Sequence, residues 1–147
     1  MSAKIESVDV WAGDLMNRPE RLARVLEALA IAGAELEFLV ARRVSERTSR
    51  VYLAPLKGGK QKRAAADVGL VPAEGMFALR VTSKDRAGLG AEITRCVAAA
   101  GVNIRGASAA TIGGRNAFYL GFRTDSERRE AASALRKRFG KRARKRS

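Results

Sequence analysis

The sequence predicts an α+β protein built from two copies of one small unit. Residues 16–36 (MNRPERLARVLEALAIAGAEL) and residues 84–104 (KDRAGLGAEITRCVAAAGVNI) align with a constant offset of 68. In both copies an apolar helix pattern ends at a glycine, Gly33 or Gly101, and an apolar residue follows three positions later. The elements around each copy also occur in the same predicted order, which is strand, helix, strand, strand, helix.

The first strand and helix of the second copy show the clearest periodicity. In residues 77–81 (FALRV) every second residue is apolar, which is typical of a half-buried strand. Asp85 is expected to cap the helix that follows, and Gly101 is expected to end it in a left-handed conformation. The apolar stripe of this helix contains Leu89, Ile93, Cys96, Val97 and Ala100.

A hairpin and a helix complete the second copy. A weak strand in residues 103–112 (NIRGASAATI) and a stronger one in residues 117–123 (AFYLGFR) flank a pair of glycines that favours a tight turn. Asp125 or Ser126 is expected to cap the final helix. No apolar strand pattern follows that helix, so a fourth strand is either absent or supplied by the N-terminus of the chain.

The first copy repeats this order. Helices that alternate with strands around one antiparallel hairpin give the ferredoxin-like βαββαβ arrangement, an antiparallel sheet with helices on one face. The predicted strands are SVDVWA, LEFLVAR, RVYLAPL and GLVP, and the predicted helices cover residues 19–32 and 61–67.

These patterns divide the chain into two modules and a tail. We expect a first module at residues 1–72, a second at residues 73–139 and a basic C-terminal tail at residues 140–147. Modules this small bury a modest fraction of their surface, so we expect the two to pack together and the chain to form a homodimer.

Positive charge is concentrated at the C-terminus. The chain carries 29 Lys and Arg against 15 Asp and Glu, and eight of the basic residues fall within residues 136–146. Such a segment either attracts nucleic-acid phosphates or is a solvated, disordered terminus that aids solubility or docks an acidic protein. The candidate nucleic-acid contacts are Lys141, Arg142, Arg144, Lys145 and Arg146.

The composition argues against several classes of protein. Without histidine the chain cannot form a cysteine–histidine nucleophile, and it lacks the commonest metal ligand and general base. No phosphate-binding loop motif is present. We therefore expect no enzymatic activity, no cofactor and no metal. The absence of a long apolar run and the early charges predict a cytoplasmic protein with no membrane partner.

Two short motifs carry a resemblance to a known family. The loop D-R-A-G-L (residues 85–89) is close to the D-R-P-G-L of ACT domains, and the helix end A-x-A-G-V-N-I (residues 98–104) is close to their "aGvNI". With the element order present twice, the chain resembles a tandem pair of ACT domains. The resemblance implies a regulatory protein that binds an amino acid where two ACT units meet.

The resemblance also implies a set of ligand-binding residues in the second copy. A helix N-terminus favours the carboxylate of a ligand, the Asp85 carboxylate can accept its ammonium, and glycine allows close approach. The first copy has Glu20 and Glu35 at the matching glycine and asparagine positions, so we expect it not to bind. The candidate residues are Asp85, Arg86, Ala87, Gly88, Leu89, Asn103 and Ile104.

Two functional hypotheses follow from these observations. The first is a non-catalytic regulatory protein that senses an amino acid at the junction of paired ACT modules and controls a metabolic enzyme or a transcription partner. The second is a nucleic-acid-associated accessory protein, whose ACT-like modules dimerise while the basic tail contacts the nucleic acid.

The tail is expected to be dispensable for folding. Residues 142–147 contain one alanine and no larger apolar residue, so they can bury little surface to offset the entropy of ordering. Deleting them should leave the thermal midpoint nearly unchanged in a denaturation scan. A drop of many degrees would mean that the segment pairs with the sheet.

Overall fold

The computed structural model describes residues 2–140 of the 147-residue chain, and the five candidate nucleic-acid contacts lie outside that range. Within residues 2–140, six strands and four helices make an α+β structure. The elements are β1 Lys4–Met16, α1 Arg21–Ile31, β2 Phe38–Arg43, β3 Thr48–Ala54, α2 Gly58–Asp67, β4 Val71–Lys84, α3 Leu89–Ala99, β5 Gly106–Ile112, β6 Arg115–Phe122 and α4 Asp125–Phe139.

The chain forms two compact units, which we call the N-terminal unit (residues 9–74) and the C-terminal unit (residues 2–8 and 75–140). Strands β1 and β4 each contribute residues to both units. The sequence patterns at residues 69–72 and 77–81 were predicted as separate strands, but residues 71–84 form a single strand of 14 residues. The boundary expected between residues 72 and 73 therefore lies inside β4.

The N-terminal unit packs α1 and α2 on antiparallel strands in the order β2-β3-β1. Register places Leu53 of β3 opposite Trp11 of β1 and Leu39 of β2. Val51 and Leu53 of β3 are fully buried on the covered face and Tyr52 between them is partly exposed, while Ala54 at the end of the strand is buried as well. The core of this unit contains Val25, Leu29, Val51, Leu53, Leu56, Ala65 and Leu70.

The C-terminal unit has the strand order β1-β4-β6-β5, and β6 pairs antiparallel with both β4 and β5. Leu120 of β6 lies opposite Leu79 of β4 and is fully buried. Helices α3 and α4 cover this face of the sheet with their apolar stripes. The core contains Ala3, Ile5, Leu79, Val81, Leu89, Ile93, Val97, Val102, Leu120, Phe122, Ala131, Ala132, Leu135 and Phe139.

The N-terminal residues of the chain complete the C-terminal unit. The Ala3 N–H donates to the Phe139 carbonyl at 2.7 Å, and Arg136 Nη2 donates to the Ile5 carbonyl at 3.1 Å. Ala3 and Ile5 are buried in the same core as Leu135 and Phe139. Of the two possibilities that the sequence left open for the missing strand, the structure shows the second.

An ion pair adds to this attachment. Arg80 Nη2 of β4 lies 2.7 Å from Glu6 Oε2, and Lys4 Nζ lies 2.7 Å from Glu6 Oε1. The hydrogen bond from Lys4, and to a smaller extent the one from Arg80, holds the pKa of the Glu6 carboxyl below its ordinary value. Because these groups are partly exposed, the pair contributes little to stability compared with burial of the apolar residues.

The cap of α4 differs from the prediction. Asp125 or Ser126 was expected to cap this helix, but Thr124 does so, because its Oγ1 accepts the Glu127 N–H at 3.1 Å. Thr124 and Glu127 have the spacing of a capping box. The prediction was one residue late because three consecutive residues are all good capping types.

Truncating Ile5 should destabilise the protein although this residue lies only five positions from the N-terminus. Ile5 is 7% exposed and Ile31, on the surface of α1, is 82% exposed. Ile5→Ala should lower the free energy of unfolding by about 2–5 kcal/mol, through lost burial and a residual cavity. Ile31→Ala should change it by less than about 0.5 kcal/mol. Urea denaturation followed by circular dichroism measures both, and equal effects would contradict the packing of β1 described above.

Candidate ligand-binding site

Asp85 is held at the end of β4 by the hairpin between β5 and β6. Its N–H donates to the Gly114 carbonyl at 2.8 Å, and Asn116 Nδ2 donates to Asp85 Oδ1 at 2.6 Å. The Asn116 side chain is buried, whereas Asp85 is exposed. A buried amide therefore fixes the orientation of a carboxylate at the surface.

The expectation that Asp85 caps α3 is wrong. The N-cap residue is Gly88, in a left-handed conformation with φ of 81°, and it has no side chain that could cap the helix. The Glu92 N–H donates to the Gly88 carbonyl at 3.1 Å. Asp85 lies too early in the loop to act as the cap, and its carboxylate binds Asn116 instead. The first turn of α3 thus lacks a side-chain cap from its N-cap residue, although the Leu89 N–H donates to the Arg86 carbonyl at 3.3 Å.

The side chains of Arg86, Ala87 and Leu89 in this loop differ in their exposure and in their contacts. Arg86 Nη2 forms an ion pair with Glu92 Oε2, and Glu92 Oε1 lies 3.5 Å from Arg138 Nη2. Ala87 is exposed. Leu89 is 2% exposed and belongs to the core, so its side chain anchors the helix rather than facing the surface.

Asn103 and Ile104 lie at the opposite end of α3 from Asp85. The helix has 11 residues, and at about 1.5 Å per residue its ends are about 16 Å apart. Asn103 is exposed and Ile104 packs against the core. The residues predicted from the sequence place Asp85 and Asn103 at one ligand, but a single C-terminal unit does not bring them together around one small molecule.

The matching loop in the N-terminal unit has a different conformation. Glu20, at the position of Gly88, has φ of −88° in the right-handed region. Asn17, at the position of Asp85, donates from Nδ2 to the Glu46 carbonyl at 3.3 Å. Glu35 lies beyond the other end of α1, so the carboxylates of Glu20 and Glu35, which were predicted to act at one site, are separated by a helix.

A cavity that no sequence pattern predicted lies in the N-terminal unit. It has a volume of about 460 Å³ and lies between the end of α1 and the start of β2. Its lining contains no cation that could hold an α-carboxylate. The lining residues are Leu26, Leu29, Ala30, Ala34, Leu36, Glu37, Phe38 and Leu39.

Many solved structures resemble the chain, and the following three are among them. The protein BT0572 from Bacteroides thetaiotaomicron has a TM-score of 0.75 at 15% identity, covering 91% of this chain and 90% of that one. The regulatory subunit of aspartate kinase from Thermus thermophilus has a TM-score of 0.64 at 16% identity, covering 95% and 98%. Aspartokinase III from E. coli, in complex with aspartate and ADP, has a TM-score of 0.58 at 15% identity, covering 92% and 32%. No protein-family model and no curated protein sequence matches the chain.

The chain has the fold of the aspartate kinase regulatory subunit. The resemblance to ACT domains that the two motifs predicted is thus confirmed at the level of the fold. No helix within residues 2–140 is long and apolar enough to cross a membrane.

Cys96 faces the interior of this ACT-like fold, as the sequence predicted. It is partly buried against the core of the C-terminal unit, and its Sγ donates to the Ala134 carbonyl at 3.5 Å. Burial raises the pKa of the Cys96 thiol. A raised pKa disfavours the thiolate, which is the nucleophilic form.

Removing the carboxylate of Asp85 should destabilise the fold through Asn116. Asp85→Ala leaves a buried amide without its acceptor, which should cost about 1–3 kcal/mol in the free energy of unfolding. Asp85→Asn keeps an acceptor oxygen and should cost less. Urea denaturation of both variants measures the difference, and a neutral Asp85→Ala would show that Asn116 does not depend on this contact.

Proposed function

We propose that the protein is a non-catalytic regulatory protein that binds a free amino acid at the loop before α3. The observation that carries this proposal is the uncapped N-terminus of α3, entered through left-handed Gly88, next to a carboxylate held in place by Asn116. This arrangement offers opposite charges to the two ends of a zwitterion. The shared fold with an aspartate kinase regulatory subunit supports a regulatory role.

The carboxylate of the amino acid would bind the backbone N–H groups of the first turn of α3. These groups carry partial positive charge and the helix dipole adds to the attraction. A Cβ built on Gly88 meets no atom within 4 Å, so the loop is open where a ligand would approach. The exposed Asp85 carboxylate would accept the ammonium in a charge-assisted hydrogen bond.

Asn103 and Ile104 would take part through a second copy of the chain. Asn103 lies at the far end of α3, so one C-terminal unit contributes either the loop or the asparagine to a given ligand. Strand β5, which begins three residues after Asn103, is the edge of the sheet in this unit and contains no charge or proline. An edge of this kind can pair with another strand, which supports a homodimer with the ligand at the junction.

The N-terminal unit is not proposed to bind the amino acid at its matching loop. Glu20 replaces the glycine there and would place a carboxylate near the ligand's own. Like charges a few ångströms apart at a partly buried site cost on the order of kilocalories per mole.

We also propose a cytoplasmic location, and a metabolic enzyme or a transcription factor as the regulated partner.

A screen of all twenty amino acids by thermal shift tests the function. An amino acid present at about 100 times its dissociation constant should stabilise the protein by roughly 2.7 kcal/mol. The lack of any shift at millimolar concentration would contradict the proposed function.

Variants of Gly88 test the location of the site. Each variant is titrated by calorimetry with the amino acid that stabilises the protein in the thermal-shift screen. Gly88→Glu should abolish binding. Gly88→Ala is the matched control, because it adds the same left-handed strain, about 1–2 kcal/mol, without the charge. Asn17→Ala, at the matching position of the first loop, should leave the affinity unchanged. Loss of binding in Asn17→Ala with retention in Gly88→Glu would assign the site to the other unit.

A further inference from the structure

The turn between β2 and β3 contains a serine that follows two arginines. Residues 42–47 read RRVSER, so Arg42 lies three positions and Arg43 two positions before Ser45. Strand β2 ends at Arg43 and β3 begins at Thr48, so Ser45 lies in the turn, and all of residues 42–47 are exposed. A hydroxyl group and the two basic side chains that precede it are therefore accessible together on the surface of the N-terminal unit.

The fold of this hairpin does not require these side chains. The second copy has residues 110–115 (ATIGGR) at the constant offset of 68, and its strands β5 and β6 also pair antiparallel. Gly113 stands there in place of Ser45, and no basic residue stands in place of Arg42 or Arg43. Because the matching strand pair forms without them, the folding of the hairpin does not explain the serine and its arginines.

The positive charge of the turn is not taken up by carboxylates of the described chain. Within residues 2–140, no ion pair involves Arg42, Arg43 or Arg47. Glu46 is the one acidic residue among residues 42–47, so three arginines and one glutamate give this segment a net charge of +2. The surface around Ser45 therefore suits an acidic partner.

The Ser45 hydroxyl is weakly held and lies next to backbone donors. Its Oγ accepts the N–H of Arg47 at 3.3 Å and the N–H of Thr48 at 3.1 Å. Both hydrogen bonds are longer than the usual distance of about 2.9–3.0 Å, so they restrain the hydroxyl little. A phosphate on this oxygen would carry a charge of about −1.5 to −2 and further acceptor oxygens for the same N–H groups and for arginine side chains. It would bring the net charge of the segment from +2 to about zero.

We propose that Ser45 is the phosphorylation site of a serine/threonine kinase whose substrate groove is acidic. Arg42 and Arg43 would form charge-assisted hydrogen bonds with carboxylates of that groove and so select this serine. In the reaction, Ser45 Oγ forms a bond to the γ-phosphorus of ATP, and the bond from that phosphorus to the β–γ bridging oxygen breaks. ADP leaves, and the hydroxyl proton passes to a carboxylate base of the kinase.

Treatment of the full chain with a kinase of this class tests the proposal. The probe is the purified catalytic subunit of cyclic-AMP-dependent protein kinase with ATP and Mg²⁺, and tandem mass spectrometry locates the phosphate. Ser45 should be modified, and Ser45→Ala should lose this modification. Ser83 is the internal comparison, because Arg80 lies three positions before it but Ser83 is only 3% exposed. Equal modification of both serines, or none at Ser45, would overturn the proposal.

Removal of the arginine charges tests how the serine is recognised. Arg42→Ala with Arg43→Thr copies residues 110–111 of the second copy, so the hairpin should still fold. The kcat/KM of the kinase for Ser45 should fall by about tenfold or more, because a hydrogen bond to a charged group is worth about that factor. The matched control, Lys60→Ala with Lys62→Ala, removes two exposed cations from α2 and should change kcat/KM by less than about twofold. Equal losses in the two variants, or no loss in the first, would contradict the proposed recognition.

Discussion

The packing of α3 on its sheet is the constraint on which the candidate site depends. Leu89, Ile93 and Val97 lie on one face of the helix and are buried in the core of the C-terminal unit. This packing fixes both ends of α3. The first turn lies beside Asp85 at one end of the helix, and Asn103 lies at the other end. Because Asp85 and Asn103 are separated by the length of α3, we propose that the site is a junction between two copies of the chain.

The two copies of the repeated unit have diverged at the start of the helix. In the second copy Gly88 adopts a left-handed conformation, which costs glycine little. In the first copy Glu20 occupies the same position with right-handed backbone angles. The same fold thus carries one loop suited to a zwitterion and one loop that brings a carboxylate. This difference supports our proposal that the C-terminal unit binds the amino acid and the matching loop of the N-terminal unit does not.

The sequence predicted the elements well because apolar periodicity is a local signal. Long-range contacts were not predictable in the same way. No local pattern shows that Ile5 packs in the core of the C-terminal unit, or that residues 71–84 continue as one strand. The assignment of Asp85 as a cap failed because its partner, Asn116, is 31 residues away. Thr124 could have been identified, since Glu127 follows it at capping-box spacing.

Mixing two binding-defective variants tests most directly the claim that the site lies between two chains. Asp85→Asn keeps the contact with Asn116 but removes the charge for the ammonium, and Asn103→Ala removes the amide. Each variant alone should lose the calorimetric signal. After subunit exchange in an equal mixture, about a quarter of the wild-type sites should return, because each mixed twofold dimer contains one intact site. If the mixture binds no better than either variant, the site does not lie between two chains.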